Sequence, residues 1–141
     1  MTATCVFCAI IRGEQPDVII LETERLIAFL DHRPLFYGHT LLVPKQHMVL
    51  LSDLPADQVP EFFGTAQRLE RAVEDGLPSD GSMILINNVI SQSVPHLHLH
   101  VIPRFDDEPM IEHGIRSGIK DPANRRPDPW RPGTGRHMAG S

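Results

Sequence analysis

The chain has 141 residues, of which 41% are hydrophobic and 22% are charged, so it carries enough apolar material for one core. Its apolar runs, such as VIIL at 18–21, are far shorter than the ~20 residues of a membrane span, and residues 1–5 show no secretory signal. The net charge is −5, and residues 1–103 carry six Lys/Arg against twelve Asp/Glu, which leaves no basic face for nucleic acid. We therefore expect a small soluble cytoplasmic domain that binds neither membrane nor nucleic acid.

The predicted elements follow from periodicity and from helix and turn signals. In chain order they are a short helix at 5–12, strands at 17–23, 26–30 and 39–43, a long helix from about 57 to 75, and strands at 82–87 and 97–102. Asp53 or Asp57 is expected to cap the long helix, and Pro60 fits only its first turn. Short hairpins and one long helix predict an α+β domain with a five-stranded antiparallel sheet.

Beyond Arg104 the periodic pattern ends. Five prolines interrupt a segment with few apolar residues, and we expect roughly 120–141 to be extended or disordered. The last residues, from Gly135 to Ser141, resemble a vector-derived remnant and are assigned no function.

Three histidines alternate with apolar residues in the predicted last strand: His96, His98 and His100. Side chains alternate between the faces of a strand, so the three imidazoles share one face and the intervening residues face the core. Three interpretations are open: a polar face exposed to solvent, a metal site, or a nucleophile or general base with imidazole neighbours.

The run QSVPHLHLHVIPR at 92–104 resembles the signature of the histidine triad (HIT) family, H-φ-H-φ-H-φ-φ with φ apolar. Three further blocks resemble that family in the same order: CVFCAIIRGEQP at 5–16, AFLD at 28–31 and GHTLLVPKQH at 38–47. The resemblance implies a HIT domain over residues 1–110, followed by a proline-rich extension at 111–141.

The resemblance implies a nucleotide-binding homodimer with a continuous sheet, acting on the α-phosphorus of nucleotide conjugates. His98 would be the nucleophile, and His100 and His39 would donate hydrogen bonds to the phosphate. Asp31 would accept the ribose hydroxyls. The remaining expected substrate contacts are Val6, Phe7, Ile10 and Phe29 around the base, and Asn87, Gln92 and Ser93 near the phosphate.

The pair Cys5 and Cys8 is ambiguous alone, because a C-x-x-C motif is either redox-active or inert in different proteins. In zinc-bearing members of the family such a pair joins two histidines, which match His47 and His96 here. The resemblance therefore implies a structural zinc site with two thiolate and two imidazole ligands.

One segment departs from the family. The family often has N-x-G-x-x-A-G-Q before the triad, whereas this chain has NNVISQ at 87–92, shorter and without glycine. Val89 and Ile90 do not freely adopt a positive φ, so we expect a different backbone geometry in this loop.

Several functions are open. His100 in place of Gln at the third triad position favours water as the acceptor, and the C-x-x-C block resembles the nucleoside phosphoramidase branch, with AMP or GMP conjugates as substrates. The alternatives are a dinucleoside polyphosphate hydrolase, a nucleotide-binding regulatory module with little turnover, and a metalloenzyme that holds zinc with all three triad histidines.

Overall fold

The computed structural model describes residues 5–106, so the predicted extension at 111–141 lies outside the described residues. Its helices and strands are α1 (Val6–Ile11), β1 (Ile19–Glu22), β2 (Leu26–Leu30), β3 (Thr40–Pro44), α2 (Val59–Gly76), β4 (Gly81–Ile86) and β5 (Leu99–Arg104). Within this part of the chain no helix is long and apolar enough to cross a membrane.

The strands form one sheet in the order β1-β2-β3-β5-β4, and each pair of neighbours is antiparallel. This confirms the predicted α+β class with one short and one long helix. Strand β5 lies between β3 and β4, so its residues are covered on both edges. The register places Leu41 of β3 opposite His100 of β5, which brings the start of β3 beside the end of the histidine run.

The central strands are buried on both faces of the sheet because one helix covers each face. Alternate residues of the strands pack against α2 in one apolar cluster, which contains Leu42, Leu99, Val101 and the helix residues Phe62 and Leu69. The opposite face packs against α1 in a second cluster. That cluster includes Phe7, Ile10, Ile27, Phe29, Leu41 and Val43. The period-two alternation of apolar side chains thus supplies both cores.

Two predicted boundaries are wrong. Helix α2 begins at Val59, after a 3-10 turn at Ala56–Gln58, and its N-cap Gln58 makes no side-chain capping bond. Asp53 accepts instead from the backbone N–H groups of Val49 and Leu50, so it stabilises an earlier turn. Pro60 does lie in the first turn of the helix, as predicted.

The last strand begins at Leu99 rather than Leu97. The N–H of Leu97 donates to the carbonyl of Met48, 2.7 Å away, so the chain still runs extended there but pairs outside the sheet ladder. His96 and His98 therefore precede the strand, and only His100 lies within it.

The loop after β4 contains two residues in the left-handed region, Val89 (φ 69°) and Ser91 (φ 64°). The expectation that Val89 would avoid a positive φ is wrong. Two side-chain amides hold the loop against the 49–51 segment: Oδ1 of Asn88 accepts from the N–H of Leu51 at 2.9 Å, and Nε2 of Gln92 donates to the carbonyl of Val49 at 2.6 Å. These contacts offset the cost, on the order of 1–3 kcal/mol, of a strained β-branched residue.

Candidate active site and metal cluster

The triad histidines form a buried row. The exposed fractions of His96, His98 and His100 are 0%, 3% and 4%, and the rings of His98 and His100 lie 4.9 Å apart between centroids. The interpretation as an exposed polar face is therefore wrong. Among residues 5–106, the side-chain groups close enough to hold a metal do not include one made of all three triad histidines, so the interpretation as a shared zinc site finds no support.

The hydrogen bond of His98 fixes which of its nitrogens is free. Nδ1 lies 2.7 Å from the carbonyl oxygen of His96. Since a carbonyl only accepts, Nδ1 carries the hydrogen and Nε2 of a neutral ring keeps its lone pair. Burial lowers the pKa of His98, opposed by the hydrogen bond to His96 and by Asp31. The ring is thus neutral near pH 7, with a nucleophilic nitrogen available.

A second chain of hydrogen bonds fixes the tautomers of His39 and His100. The backbone N–H of Leu35 donates to Nδ1 of His39 at 3.0 Å, so the hydrogen of neutral His39 lies on Nε2. That nitrogen lies 2.9 Å from Nδ1 of His100 and donates to it. The hydrogen of His100 is consequently on Nε2, a buried atom with no hydrogen-bond partner among residues 5–106. A buried, unsatisfied N–H donor is suited to a ligand oxygen.

Both imidazole rings in this chain of hydrogen bonds, His39 and His100, are uncharged at neutral pH. Burial lowers the pKa of His39 to about 3, with a smaller contribution from His98. Burial also lowers the pKa of His100 to about 3, and the neighbouring His39 and His98 lower it further by smaller amounts. The site can therefore offer neutral donors to a phosphate, which suits a protein with few basic residues.

Asp31 lies beside this chain of hydrogen bonds, directly after the end of β2. Its Oδ2 is 3.5 Å from Nε2 of His39, and its Oδ1 accepts from the N–H of Arg33. Asp31, His39 and His100 are close enough to hold a cation. However, the Leu35 amide occupies the Nδ1 lone pair of His39 and places the hydrogen on Nε2, where a metal would have to bind. The arrangement therefore fits hydrogen bonding rather than metal ligation.

The expected base-binding residues are brought together around α1. Phe7, Ile10 and Phe29 are buried in one cluster, and the ring of Phe7 lies 5.3 Å from Phe29 and 5.0 Å from His98. Val6 is 36% exposed, on the outer side of the helix. Phe7 thus connects this apolar cluster to the ring of His98.

The three polar residues expected near the phosphate lie in the loop before the triad. Ser93 is exposed and Asn87 is half-buried. The amide of Gln92 bonds backbone groups through both of its ends: Nε2 donates to Val49, and Oε1 accepts from the N–H of Val89. Gln92 therefore shapes the loop.

The two cysteines and two further histidines meet on the other side of the row. Cys5 Sγ lies 3.4 Å from His96 Nδ1, and Cys8 Sγ lies 3.3 Å from His47 Nδ1 and 3.6 Å from His96 Nδ1. All four ligand atoms lie within 4.8 Å of one another. A tetrahedron with Zn–S of about 2.3 Å and Zn–N of about 2.0 Å has S···N edges of about 3.5 Å, so the spacing fits zinc.

The surroundings of this cluster favour a cation. Nε2 of His96 lies 2.8 Å from the carbonyl of Pro44, which puts the hydrogen there and leaves Nδ1 free to ligate. Burial, followed by the neighbouring Cys5, raises the pKa of the Cys8 thiol to about 11. A bound cation would offset this cost by stabilising the thiolate.

Two features of the site escape sequence reasoning. The Leu35 amide is a backbone group, so no residue type indicates its role. Asp17 and His32 form a pair at the outer end of the site, with Oδ2 of Asp17 3.0 Å from Nε2 of His32. The two residues are 15 positions apart along the chain, and only the β1–β2 pairing reveals their contact.

The sheet, the covering helices and the buried imidazole row define an α+β protein with a histidine-based site beside a cysteine–histidine cluster. The HIT domain family matches residues 12–107. The chain therefore belongs to the HIT family.

Two curated relatives and one solved structure show the extent of the similarity. An uncharacterized HIT-like protein of Mycobacterium tuberculosis is 40% identical over 135 residues, covering 94% of this chain and 88% of the relative. An adenosine 5′-monophosphoramidase of Candida albicans is 34% identical, covering 74% of this chain and 73% of the relative. The crystal structure of a Zn-bound histidine triad family protein of Mycobacterium smegmatis is 38% identical with a TM-score of 0.70, covering 85% of this chain and 96% of that one.

Proposed function

We propose that the protein is a hydrolase that cleaves nucleotide conjugates at the α-phosphorus, with nucleoside phosphoramidates or adenylyl-lysine as the substrate class. The observation that carries this proposal is the pairing of two oriented nitrogens in one buried site. Nε2 of His98 has a free lone pair, and Nε2 of His100 is an unsatisfied donor. The relative named as an adenosine 5′-monophosphoramidase supports the same class.

The first step follows from these atoms. After the bridging nitrogen of the substrate takes a proton from solvent, Nε2 of His98 attacks the phosphorus and forms an N–P bond. The P–N bond to the leaving group breaks, and its electron pair leaves with the neutral amine, giving a nucleotidyl-histidine. The N–H of His100 donates to a phosphoryl oxygen as negative charge develops there. His39 holds His100 in the donating tautomer through the contact at 2.9 Å. The Nδ1–H of His98 remains bonded to the carbonyl of His96 and stabilises the ring as it becomes positive.

The second step regenerates the enzyme. Water attacks the phosphorus and gives up a proton to solvent. The N–P bond to His98 breaks, its electron pair returns to Nε2, and the nucleoside monophosphate is released. The nucleoside would be held at the other end of the site, with its ribose hydroxyls on Asp31 and its base against Phe7 and Phe29. Ser93 and the N–H groups of its loop would add neutral donors to the phosphate.

We assign a structural zinc to Cys5, Cys8, His47 and His96, supported by the cluster geometry and by the Zn-bound relative. When bound, the metal cross-links α1 to the segments that carry the two histidines. It takes no part in the steps above. His96 connects the two sites, because its ring belongs to the cluster and its carbonyl orients His98.

We also propose a homodimer that pairs through β4. That strand has six residues in regular register with β5, and its outer edge pairs with no other strand among residues 5–106. Ile84 on it and Phe63 and Val59 on α2 are exposed apolar residues. The other edge strand, β1, has four residues and a register shift, which protects an edge against pairing.

The direct test is steady-state hydrolysis of adenosine 5′-phosphoramidate and adenylyl-lysine, with diadenosine polyphosphate as the comparison substrate. Wild type should turn over the phosphoramidates, and His98→Ala should reduce kcat by at least ~10³-fold while AMP still binds. The control is Arg33→Ala, a change in an exposed side chain of a nearby loop. Saturable binding without product would identify a binding module instead, and faster cleavage of the polyphosphate would reassign the substrate class.

A further inference from the structure

A buried carboxylate and a half-exposed imidazole meet at the outer end of the site. Oδ2 of Asp17 lies 3.0 Å from Nε2 of His32, and the two side chains are 5% and 50% exposed. Oδ1 of Asp17 accepts from the N–H of Val18 at 2.6 Å. No hydrogen bond satisfies Oδ2 among residues 5–106, so the close contact with His32 is what compensates this buried oxygen.

The strand register places this pair next to the proposed nucleoside site. Ile19 of β1 lies opposite Phe29 of β2, and a backbone hydrogen bond continues the pairing one residue further toward Asp17. Since side chains alternate, Asp17 and Asp31 lie two residues beyond these partners on the same face as Phe29. His32 follows Asp31 directly, and its ring reaches back to Asp17.

The polar groups of the site follow the order of the strands at one end of the sheet. His100 lies on β5, His39 just before β3, Asp31 just after β2 and Asp17 just before β1. A nucleotide with its phosphate at His100 and its ribose at Asp31 therefore extends its base toward α1 and β1, where the Asp17–His32 pair lies.

The chemistry of the pair selects a hydrogen-bond donor. A carboxylate oxygen only accepts, so the 3.0 Å contact favours a hydrogen on Nε2 of His32 and leaves Nδ1 as the nitrogen that can accept from a ligand. We infer that His32 accepts a hydrogen bond from the exocyclic amino group of the nucleobase, and that Asp17 is a positioning residue that fixes the His32 ring and tautomer. This inference rests on the proposed function and adds to it a preference for amino-bearing purines.

The test measures nucleotide affinity by calorimetry with two matched pairs. AMP and purine riboside 5′-monophosphate differ by the amino group on C6, and GMP and IMP differ by the amino group on C2. In at least one pair, wild type should bind the amino-bearing nucleotide about five- to tenfold more tightly, the effect of one partly exposed hydrogen bond. His32→Leu should reduce that ratio to within about twofold, and Arg33→Ala should leave it unchanged.

The positioning role of Asp17 has its own readout. In wild type, imidazole ¹⁵N shifts should show His32 protonated on Nε2. In Asp17→Asn the tautomer of His32 should shift, and the affinity ratio between the amino-bearing nucleotide and its partner should decrease. The melting temperature of the variant reports whether it is folded. If Asp17→Asn does not fold, His32→Leu still tests the inference, because that side chain is half-exposed.

Three results would overturn the inference while leaving the proposed function intact: equal affinities within both pairs in wild type, an undiminished ratio in His32→Leu, or a change in His32→Leu confined to the ratio of ribose to 2′-deoxyribose nucleotides. Failure of every nucleotide to bind wild type would instead contradict the proposed function itself, and the inference with it.

Discussion

At the scale of single residues, the site depends on which nitrogen of each ring carries the hydrogen. The carbonyl of His96 decides this for His98, and the N–H of Leu35 decides it for His39 and, through it, for His100. One backbone acceptor and one backbone donor thus leave a lone pair on Nε2 of His98 and place an N–H on Nε2 of His100, the two groups that the proposed function uses. The assignment follows from the rule that a carbonyl cannot donate and an amide N–H cannot accept.

Burial of neutral histidines predicts acid sensitivity. The pKa values of His39 and His100 are lowered to about 3, against about 6.5 in an unfolded chain. Between these values the unfolded chain binds protons that the folded protein does not, so the free energy of unfolding decreases as the pH falls below about 6.5. Denaturant titrations should show a loss on the order of 2–4 kcal/mol between about pH 7 and about pH 5.

A matched variant separates this effect from general acid denaturation. His100→Gln removes one of the two groups and should make the loss between these pH values smaller. Stability that is constant over this range in wild type would mean that these histidines bind protons as readily in the folded protein as in the unfolded chain, which would contradict the lowered pKa values.

Sequence reasoning recovered the residue types of the site but not their hydrogen-bond partners. The spacing of the triad predicted that its three rings share one side, and the rings do form a row. The sequence contained no sign of the Leu35 amide, because backbone donors are not encoded by residue type. The contact between Asp17 and His32 depends on strand register, which the uncertain turn between β1 and β2 left undetermined.

At the scale of elements, the loop from β2 to β3 positions the donors. Gly38 precedes His39 with a φ of +88°, and a Cβ there would meet Cδ1 of Leu77 and lie 3.2 Å from Cγ of Pro103. The backbone conformation favours glycine, and any larger residue would also require Leu77 and Pro103 to shift. By contrast Gly13 has a φ of +76° with nothing within 4 Å of its added Cβ.

These two glycines give a paired prediction. Gly38→Ala should lower the free energy of unfolding by about 2–4 kcal/mol and kcat by at least about tenfold, because strain and overpacking act together beside His39. Gly13→Ala should cost about 1 kcal/mol with kcat unchanged, since only the backbone is strained. Denaturant midpoints and initial rates measure both effects, and equal losses in the two variants would contradict the packing explanation.

The Cys–His cluster is the second feature at this scale, because it brings Cys5 and Cys8 of the α1 region to His96, two residues before the proposed nucleophile His98. Protein purified without chelators should contain close to one zinc per chain by elemental analysis. The double variant Cys5→Ser with Cys8→Ser should lower the Tm and raise KM more than it lowers kcat, since α1 carries Phe7 but no reactive group. Less than about a tenth of a zinc per chain with reduced thiols would contradict the assignment.

Element boundaries were predicted well where periodicity is strong and less well where side chains compete for backbone groups. Strand β2 matches its prediction, and the sheet has the predicted five strands. The last strand begins later because the backbone of His96 bonds the His98 ring rather than a neighbouring strand. The loop geometry at Val89 was missed because the amides of Asn88 and Gln92, distant in sequence from the 49–51 segment, hold the strained backbone in place.

At the scale of the whole molecule, the sheet formed by residues 5–106 has one edge protected by a register shift, β1, and one edge left open within that range, β4. The residues that would cover the open edge are apolar and partly exposed: Ile84 at 43% and Phe63 at 40%. An edge of this kind is paired or covered in stable proteins, and a two-fold axis beside β4 would bury both residues at once.

Light scattering at micromolar concentration should give twice the 15.8 kDa chain mass. Ile84→Lys combined with Phe63→Glu should give the mass of one chain, because two buried charges on each side oppose association. Ile19→Lys, on the exposed face of β1, is the control and should leave the dimer intact. A wild-type mass near 15.8 kDa would contradict the dimer.

The central claim is that Nε2 of His98 forms a covalent bond to phosphorus. The most direct test is intact-protein mass spectrometry of a reaction that is quenched without acid. Wild type mixed with excess adenosine 5′-phosphoramidate should gain the mass of one adenylyl group per chain within the first turnovers, and fragmentation should locate it on His98. His98→Ala should gain nothing, and Arg33→Ala should behave as wild type. An adduct on another residue, or rapid turnover by wild type with no adduct at any time within the first turnovers, would contradict the claim.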